Sequence, residues 1–228
     1  MLNQSADPIV ARSSVVTTIP TTDRFGILAG HAKLVETEFC YARDEEIYGE
    51  DEPAEHVYQV VRGAVRTYKL LSDGRRQIGA FHLPGDVFGL VSESVHRLTA
   101  EAIVDTTVRI IKRRALEQAA DTDVRVARNL WAMTASDLRR AEDHMLLLGR
   151  KTALERVATF LLEMDRRLAV TGAMALPMCR RDIADYLGLT LETVSRAFSQ
   201  LHGEGVLDFS GARQIMLRNR RKLHNIDS

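Results

Sequence analysis

The sequence has few cysteines and no long apolar run. Only two cysteines, Cys40 and Cys179, occur among its 228 residues, so no disulfide framework can form, and their wide separation offers no metal-ligand spacing. No stretch of about 18 uncharged apolar residues occurs, and the N-terminal MLNQSADPIVARSS lacks the apolar core of a signal peptide. These absences predict a cytoplasmic protein with no membrane segment.

The sequence also has no net charge, because 31 Lys and Arg balance 31 Asp and Glu. The two parts of the chain nevertheless differ: residues 1–149 hold 18 Lys and Arg against 22 Asp and Glu, and residues 150–228 hold 13 against 9. A basic C-terminal part favours a polyanionic partner for that part. The excess is small, so it supports such a partner only together with a binding motif.

Four segments of different pattern predict an α+β fold. Residues 1–25 show no sustained period, and we interpret them as a flexible N-terminal arm. Residues 26–120 contain short β-type runs separated by glycine turns, which is typical of a double-stranded β-helix, or jelly roll. Residues 121–149 have a helical period. Residues 150–228 combine helices, a turn at Gly188 and a β-hairpin, which predicts a winged helix-turn-helix.

The long helix carries a set of residues that alternate spacings of three and four without interruption. They are Val124, Ala127, Trp131, Thr134, Leu138, Ala141, Met145 and Leu148. Such a heptad seam is typical of a coiled coil. A second apolar set, Val126, Leu130 and Met133, lies on another face and is available to cover the sheet domain. We therefore interpret the seam as a homodimer interface; the alternative is an ordinary buried helix.

The helix after Gly188 concentrates polar residues on one face. Thr190 is the expected N-cap. The inner positions are apolar: Val194, Ala197, Phe198 and Leu201. The outer positions are polar: Glu192, Ser195, Arg196 and Ser199. In the major groove of double-stranded DNA a carboxylate accepts from cytosine, a guanidinium grips guanine and a hydroxyl serves either role, so this helix predicts sequence-specific DNA binding.

Two further roles are expected around this helix. Glu192 and Arg196 are four residues apart and can hold each other in place; read alone, they would be a solvated surface pair. Phosphate contacts are expected from basic and hydroxyl side chains nearby, each of which can equally be a solvated surface group. They are Arg180, Arg181, Thr190, Thr193, Ser199 and Arg213.

The order of jelly roll, heptad helix and RRDIADYLGLTLETVSRAFSQLHGEGVL resembles the CRP/FNR family of bacterial transcription regulators over nearly the whole chain. LPMCRRDIADYLGLTLETVSRA with FSGARQIMLRNR is most similar to the FixK branch, which activates genes for low-oxygen respiration and nitrogen fixation. The string E-T-V-S-R resembles the FNR-type recognition helix, which reads TTGAT, four unspecified pairs, ATCAA. The resemblance assigns base reading to Glu192, Ser195 and Arg196, with Leu191 on a thymine methyl, and implies RNA polymerase as a partner.

The resemblance makes the jelly roll a cyclic-nucleotide-binding-like sensor domain, yet the effector-binding residues of the family are missing. Members that bind cyclic AMP carry a Glu after the glycine of a G-D-x-x-G turn and then an Arg-Ser pair. Here the turn reads Gly85-Asp86-Val87-Phe88-Gly89-Leu90, and the approximate Arg-Ser positions hold Leu98 and Thr99. A leucine cannot bind phosphate as a guanidinium does. We therefore expect no cyclic AMP effector.

Other cofactors of the family also lack their ligands. The iron–sulfur cluster of FNR needs about four thiolates near the N-terminus, whereas no cysteine precedes Cys40. His82, His96 and Met145 are scattered and are read as structural or surface residues rather than haem ligands. The sequence thus predicts no cofactor. The alternative is a regulator gated by an unidentified small ligand in the jelly roll.

Cys179 lies just before a helix start and beside Arg180 and Arg181, an electropositive setting that favours the thiolate and hence oxidation. The FixK resemblance implies a redox brake at this residue, since a sulfinate or sulfonate near DNA would repel phosphate. The alternative is a small buried hydrophobe. For Cys40, in a β-type run, we expect a structural role.

A jelly roll can also be a cupin enzyme, which generally binds a metal through a His-x-His pair with a later Glu and His. His82-Leu83-Pro84 has no second histidine at that spacing, and no other pair of histidines provides it. We therefore expect neither a metal site nor catalytic residues.

Overall fold

The structure is a computed structural model that describes residues 37–168, 173–211 and 213–227. The predicted arm, residues 1–25, lies outside the described residues. Within them, the N-terminal part forms two four-stranded antiparallel sheets, with strand orders β1-β8-β3-β6 and β2-β7-β4-β5. The strands are β1 (Thr37–Tyr41), β2 (Glu46–Tyr48), β3 (His56–Arg62), β4 (Val65–Leu70), β5 (Arg76–His82), β6 (Val87–Phe88), β7 (Thr99–Ala102) and β8 (Thr106–Lys112). The predicted jelly roll is confirmed.

Strand β3 shows how the sequence pattern builds this part. Val57 packs on one face of its sheet, in a cluster shared with the following helices, whereas Tyr58 and Val60 belong to the cluster between strands of the two sheets. The turn after β3 requires glycine, because Gly63 has a φ of +91° and a Cβ there would lie 2.4 Å from the hydroxyl oxygen of Thr106. The alternation of side chains along β3 and the glycine turn that follows it therefore fix the same strand register.

Two helices lead out of the jelly roll. Helix α1 (Arg113–Thr122) ends at Asp123, whose carboxylate accepts the amide N–H of Arg125 at 2.8 Å and so caps helix α2 (Val124–Arg150). Val126 is fully buried in the cluster with the jelly roll and α1, and Leu130 and Met133 pack against it. The predicted second apolar face of the long helix is thereby confirmed. The long helix expected over residues 121–149 runs from Val124 through Arg150 in the structure.

The C-terminal part is a winged helix-turn-helix, as predicted. Its elements are α3 (Ala153–Leu168), β9 (Ala173–Ala175), α4 (Arg180–Leu187), α5 (Leu191–Gly203), β10 (Leu207–Phe209), β11 (Gln214–Leu217) and α6 (Arg220–Asp227). The expected hairpin β10–β11 has a third strand, β9, paired antiparallel to β11. The sequence pattern does not indicate β9 or α6, because three residues are too few to show a strand period and α6 has no long apolar stripe.

The two parts of the chain pack directly on each other. The ring of Phe81 on β5 lies 6.3 Å from the ring of Phe160 on α3 and 5.0 Å from the ring of Tyr186 on α4. These rings belong to one apolar cluster that continues into the helix-turn-helix. Among the described residues, no helix is both long enough and apolar enough to cross a membrane.

His82 connects the jelly-roll strands with the turn that follows β5. Its Nε2 lies 3.1 Å from the hydroxyl of Thr67, and its ring stacks on Phe88 with the ring centroids 4.9 Å apart. Burial lowers the pKa of His82 to about 4, and the negative charge of Asp86 only partly opposes this shift. The folded protein therefore keeps His82 neutral well below the pH at which an exposed histidine gains its proton.

This shift predicts a loss of stability in mild acid. An unfolded chain protonates His82 near pH 6.5 and the folded chain only near pH 4, so stability is present above pH 6.5 and is lost as the pH falls through this window. At about 1.4 kcal/mol per pKa unit, the free energy of unfolding should fall by about 3 kcal/mol. Urea unfolding at fixed protein concentration measures it. In His82→Gln the decline should be smaller by about that amount; equal declines would contradict the assignment.

Candidate DNA interface and dimer seam

The turn between α4 and α5 is built from local backbone chemistry. Gly188 closes α4 in the left-handed conformation, with a φ of +62°, and its N–H donates to the carbonyl of Ala184. Two residues later comes Thr190, the N-cap of α5, whose hydroxyl accepts the N–H of Thr193 at 3.2 Å. The predicted N-cap is thereby confirmed. The turn fixes the direction of α5 relative to α4.

The two faces of α5 differ as the sequence predicts. The apolar residues Val194, Ala197, Phe198 and Leu201 are buried in the helix-turn-helix core. The residues Glu192, Ser195, Arg196 and Ser199 are exposed. Their spacing of three and four residues places them on one outward side of the helix, and Leu191 and Thr193 are half-buried beside them. This side presents a carboxylate, a guanidinium and hydroxyls to solvent.

Glu192 and Arg196 do not form the ion pair that their spacing allows. Among the described residues no salt bridge within 4.0 Å joins them. The pKa of Glu192 is lowered by hydrogen bonds to its own backbone N–H and to Thr190, and then by the positive charges of Arg181 and Arg196. Arg196 therefore acts on Glu192 at longer range, and its guanidinium is not held by that carboxylate.

The residues expected to contact phosphate have different surroundings. Arg181, Thr190 and Ser199 are exposed near the start or along the outer side of the two helices. Arg213, just before β11, donates from its guanidinium to the carbonyl of Pro177 at 3.1 Å and so ties the wing to the segment before α4. Their contacts with DNA stay predictions.

Arg180 is placed differently from what the sequence suggested. Its guanidinium carbon lies 3.1 Å from the ring centroid of Phe198 and 5.5 Å from that of Phe209. One terminal nitrogen is buried without a partner among the described residues, and burial lowers the pKa of Arg180 to about 10. The side chain thus points inward and connects the start of α4 to α5 and β10. A phosphate contact would require it to leave these rings.

The two cysteines also differ in surroundings. Cys179 is half-buried at the N-cap of α4, where its backbone N–H donates to the carboxylate of Asp182 at 3.0 Å. Cys40 on β1 is the more exposed of the two, and its Sγ lies 3.7 Å from the hydroxyl of Thr107. Cys40 is therefore not a buried hydrophobic residue, and its structural role stays a prediction.

The heptad seam of α2 is uncovered in the single chain. Four of its large apolar side chains are mostly exposed: Val124 (61%), Trp131 (77%), Leu138 (60%) and Met145 (66%). Thr134 and Ala141 are also exposed between them, whereas Ala127 is half-buried and Leu148 packs on the helix-turn-helix core. An apolar stripe of this length, exposed in one chain, is typical of a surface that a partner covers.

The turn that contains Asp86 is the one at which family members that bind cyclic AMP hold the nucleotide. In this chain, groups of the protein itself form hydrogen bonds to Asp86. The carboxylate of Asp86 accepts from the N–H of Leu83 at 2.8 Å, from Arg140 of α2 at 3.2 Å and from Arg167 of α3. Burial opposes ionisation of Asp86, but these neighbours, Arg167 foremost, hold its pKa below the ordinary value. Two helices are thereby tied to the end of the jelly roll.

A cleft of about 1040 Å³ lies between the jelly roll, α2 and α3. Leu98, at the approximate position of the family's arginine, lines it together with His82 and Arg140. The other approximate position, Thr99, instead accepts the N–H of Glu50 at 3.1 Å with its hydroxyl. His96, another residue considered for haem, is buried and stacks on Tyr48 with the ring centroids 3.6 Å apart.

Comparison with known families and proteins agrees with this geometry. Residues 38–123 match the cyclic nucleotide-binding domain, and residues 155–226 match the Crp-like helix-turn-helix domain. The chain is 47% identical to the nitrogen fixation regulation protein FixK of Azorhizobium caulinodans, covering 84% of this chain and 79% of that protein. It is 41% identical to the protein of the same name from Rhizobium meliloti, covering 82% of this chain and 85% of that protein.

Solved structures give the same result. The structure of FixK2 from Bradyrhizobium japonicum is 79% identical in sequence, with a TM-score of 0.84, and the match covers 86% of this chain and 98% of that one. A CooA mutant from Carboxydothermus hydrogenoformans, 22% identical with a TM-score of 0.75, shares the fold over 92% of this chain and 98% of that one.

The exposed seam predicts that a charge at its centre separates two copies of the chain. Leu138→Glu should shift the protein from dimer to monomer, because facing copies would bury two carboxylates in an apolar interface. Sedimentation velocity measures the change. Leu146→Glu is the matched control, since Leu146 is equally exposed (67%) on the same helix but lies off the heptad positions. A Leu138→Glu protein that sediments like the Leu146→Glu protein would show that the seam is not the interface.

Proposed function

Since the chain belongs to the FixK branch of the CRP/FNR family and is a DNA-binding transcription activator rather than an enzyme, we propose that two copies of it bind one two-fold-symmetric DNA site and activate genes of nitrogen fixation and low-oxygen respiration. One observation carries the proposal. The same chain presents an outward polar face on a capped recognition helix and an uncovered apolar seam on α2. We include RNA polymerase as a partner, because an activator works through it.

In this proposal α5 lies in the major groove. Arg196 donates to a guanine, Glu192 accepts from a cytosine amino group, Ser195 contacts an adjacent base, and Leu191 packs on a thymine methyl. The site has the form TTGAT, four pairs, ATCAA. The two helices then lie in successive major grooves about 10–10.5 base pairs apart. Arg181, Thr190, Thr193, Ser199 and Arg213 supply backbone contacts.

We propose that DNA binding needs no cyclic AMP and no iron–sulfur cluster. With respect to cyclic AMP, the support is that Asp86, in the turn where a nucleotide would bind, is already bonded by Arg140 and Arg167 of the same chain. The cleft of about 1040 Å³ favours one alternative, a regulator gated by a small ligand. DNA binding by effector-free protein separates the two: specific binding supports the proposal, and binding only after addition of a ligand supports the alternative.

Base reading by Arg196 predicts a change of specificity. Arg196→Ala should weaken binding to the two-fold duplex by about 1–3 kcal/mol for each half-site and relax the preference at one guanine in each, because a bidentate contact is lost there. Selection of bound sequences from random DNA and anisotropy titration measure the two effects.

Arg181→Ala is the matched control for that experiment, since Arg181 is another exposed arginine but is assigned to phosphate. It should weaken all sequences alike and lower the salt slope of binding by about two, because each of the two copies loses one phosphate contact. An unchanged base preference in Arg196→Ala would contradict its assignment.

We further propose that oxidation of Cys179 inhibits DNA binding. Peroxide converts a thiolate to sulfenate with release of water, and further peroxide adds oxygen to give a sulfinate, which is negatively charged. Cys179 is partly accessible and caps α4 beside the exposed Arg181, so this charge arises close to where phosphate would bind. The added charge would repel the DNA backbone.

The two cysteines allow a matched test. Peroxide should lower the DNA affinity of the wild type and of Cys40→Ser at least tenfold, and should leave Cys179→Ser unaffected. Anisotropy titration before and after treatment measures the affinities, and intact mass reports the oxidation state. If Cys179→Ser loses affinity as the wild type does, the inhibitory site is not Cys179.

A further inference from the structure

The carboxylate of Asp182, in the first turn of α4, is buried and bonded from two sides. Its Oδ2 accepts the backbone N–H of Cys179 at 3.0 Å, inside the helix-turn-helix. Its Oδ1 accepts from Arg66 at 3.0 Å and from Arg76 at 2.7 Å, both of which belong to the jelly roll. The pKa of Asp182 stays below its ordinary value, although burial opposes ionisation, because of these donors.

The two arginines are themselves held in place by the second sheet. Arg66 on β4 is buried, and its other terminal nitrogen bonds Glu101 of the neighbouring strand and Asp44. Arg76 on β5 lies over the ring of Tyr68 at 5.4 Å and also bonds Asp185, one turn further along α4. Each planar guanidinium thus joins the sheet to α4 in a fixed direction.

The other end of α4 is held by a third arginine. Arg156 of α3 donates to the carbonyls of Leu187 at 2.9 Å, Leu148 at 2.9 Å and Lys151 at 3.0 Å. These carbonyls lie at the ends of α4 and α2, where a helix leaves acceptors free. Helix α4 is therefore fixed to the sheet at its N-terminal end and to α2, the helix that carries the heptad seam, at its C-terminal end. Because the turn at Gly188 fixes the direction of α5 relative to α4, the orientation of α5 is fixed as well.

We propose that Arg66 is a positioning residue for DNA binding: through Asp182 it sets the angle of α4, and hence of α5, relative to the dimer helix. The distance between the two recognition helices is then built into the folded chain and needs no bound effector. Arg66 touches no DNA in this proposal. The inference rests on the proposed function, since it assumes that two copies bind one two-fold site.

The proposal predicts which property of DNA binding depends on Arg66. Arg66→Met keeps the apolar stem of the side chain but removes its charge-assisted bond to Asp182, and the bond from Arg76 remains. The two recognition helices should then adopt a range of separations. The effective concentration of the second recognition helix at its half-site is then lower. Base preference within each half-site should not change, because α5 itself is intact.

The experiment compares two duplexes by anisotropy titration with effector-free, reduced protein. One has the half-sites at the natural separation, and the other has two extra base pairs between them. The wild type should prefer the natural separation by roughly 30-fold or more, and Arg66→Met should prefer it by about threefold or less. Arg75→Met is the matched control, since the exposed Arg75 pairs with Asp73 in its own turn, and it should behave as the wild type.

A second variant covers the case in which Arg66→Met does not fold. Asp182→Asn keeps an oxygen that accepts the backbone N–H of Cys179 but loses the negative charge. It should reduce the preference for the natural half-site separation, as Arg66→Met does. The double variant should behave as Asp182→Asn alone, because that change already weakens the bonds of Asp182 to both Arg66 and Arg76. Thermal unfolding identifies which variants are folded.

The outcomes are distinguishable. A wild type with no preference for a two-fold duplex would overturn the proposed function. A wild type that discriminates spacing, with folded Arg66→Met or Asp182→Asn discriminating equally well at lower overall affinity, would overturn the positioning role of Arg66 and leave the proposed function standing.

Discussion

The bonds of Asp182 to Arg66 and Arg76 join the two halves of this protein into one unit. A buried ion pair contributes little net stability, because each charge must lose its water. It does require a particular geometry, since an unpaired buried charge would be costly. The apolar contacts around Phe81 and Phe160 hold the jelly roll and the helix-turn-helix together but allow several relative orientations. The hydrogen bonds of the arginines select one of these orientations. The orientation of the helix-turn-helix follows from this division of roles.

The same principle operates at the turn that ends in Gly89. Here Asp86 supplies the negative charge from within the chain, and Arg140 and Arg167 bring α2 and α3 to it. An internal carboxylate is permanently present, so the contact does not depend on the concentration of a ligand.

The surface proposed to face DNA depends on which side chains of α5 are buried as well as on which are exposed. The apolar side of α5 is buried against α3 and α4, so Glu192, Ser195 and Arg196 on the opposite side are exposed to solvent. Arg180 belongs to the inner side, where it lies on Phe198 and adds positive charge beneath the interface without being exposed. In the proposed dimer the exposed seam of α2 completes this surface, because one recognition helix alone would read only half of a two-fold site.

The sequence by itself determined the features that depend on local periodicity and backbone chemistry. Alternating residues such as Val57 and Tyr58 predict the strands, heptad spacing predicts the seam, and Gly188 and Thr190 predict the turn and the start of α5, because each signal lies within a few residues of its effect. Only the tertiary structure decided that Arg180 lies on Phe198, that Arg66 reaches Asp182 across 116 residues, and that Glu192 and Arg196 do not pair. Such contacts depend on how separate elements are oriented, and a charged side chain in a sequence carries no mark of which distant partner will compete for it.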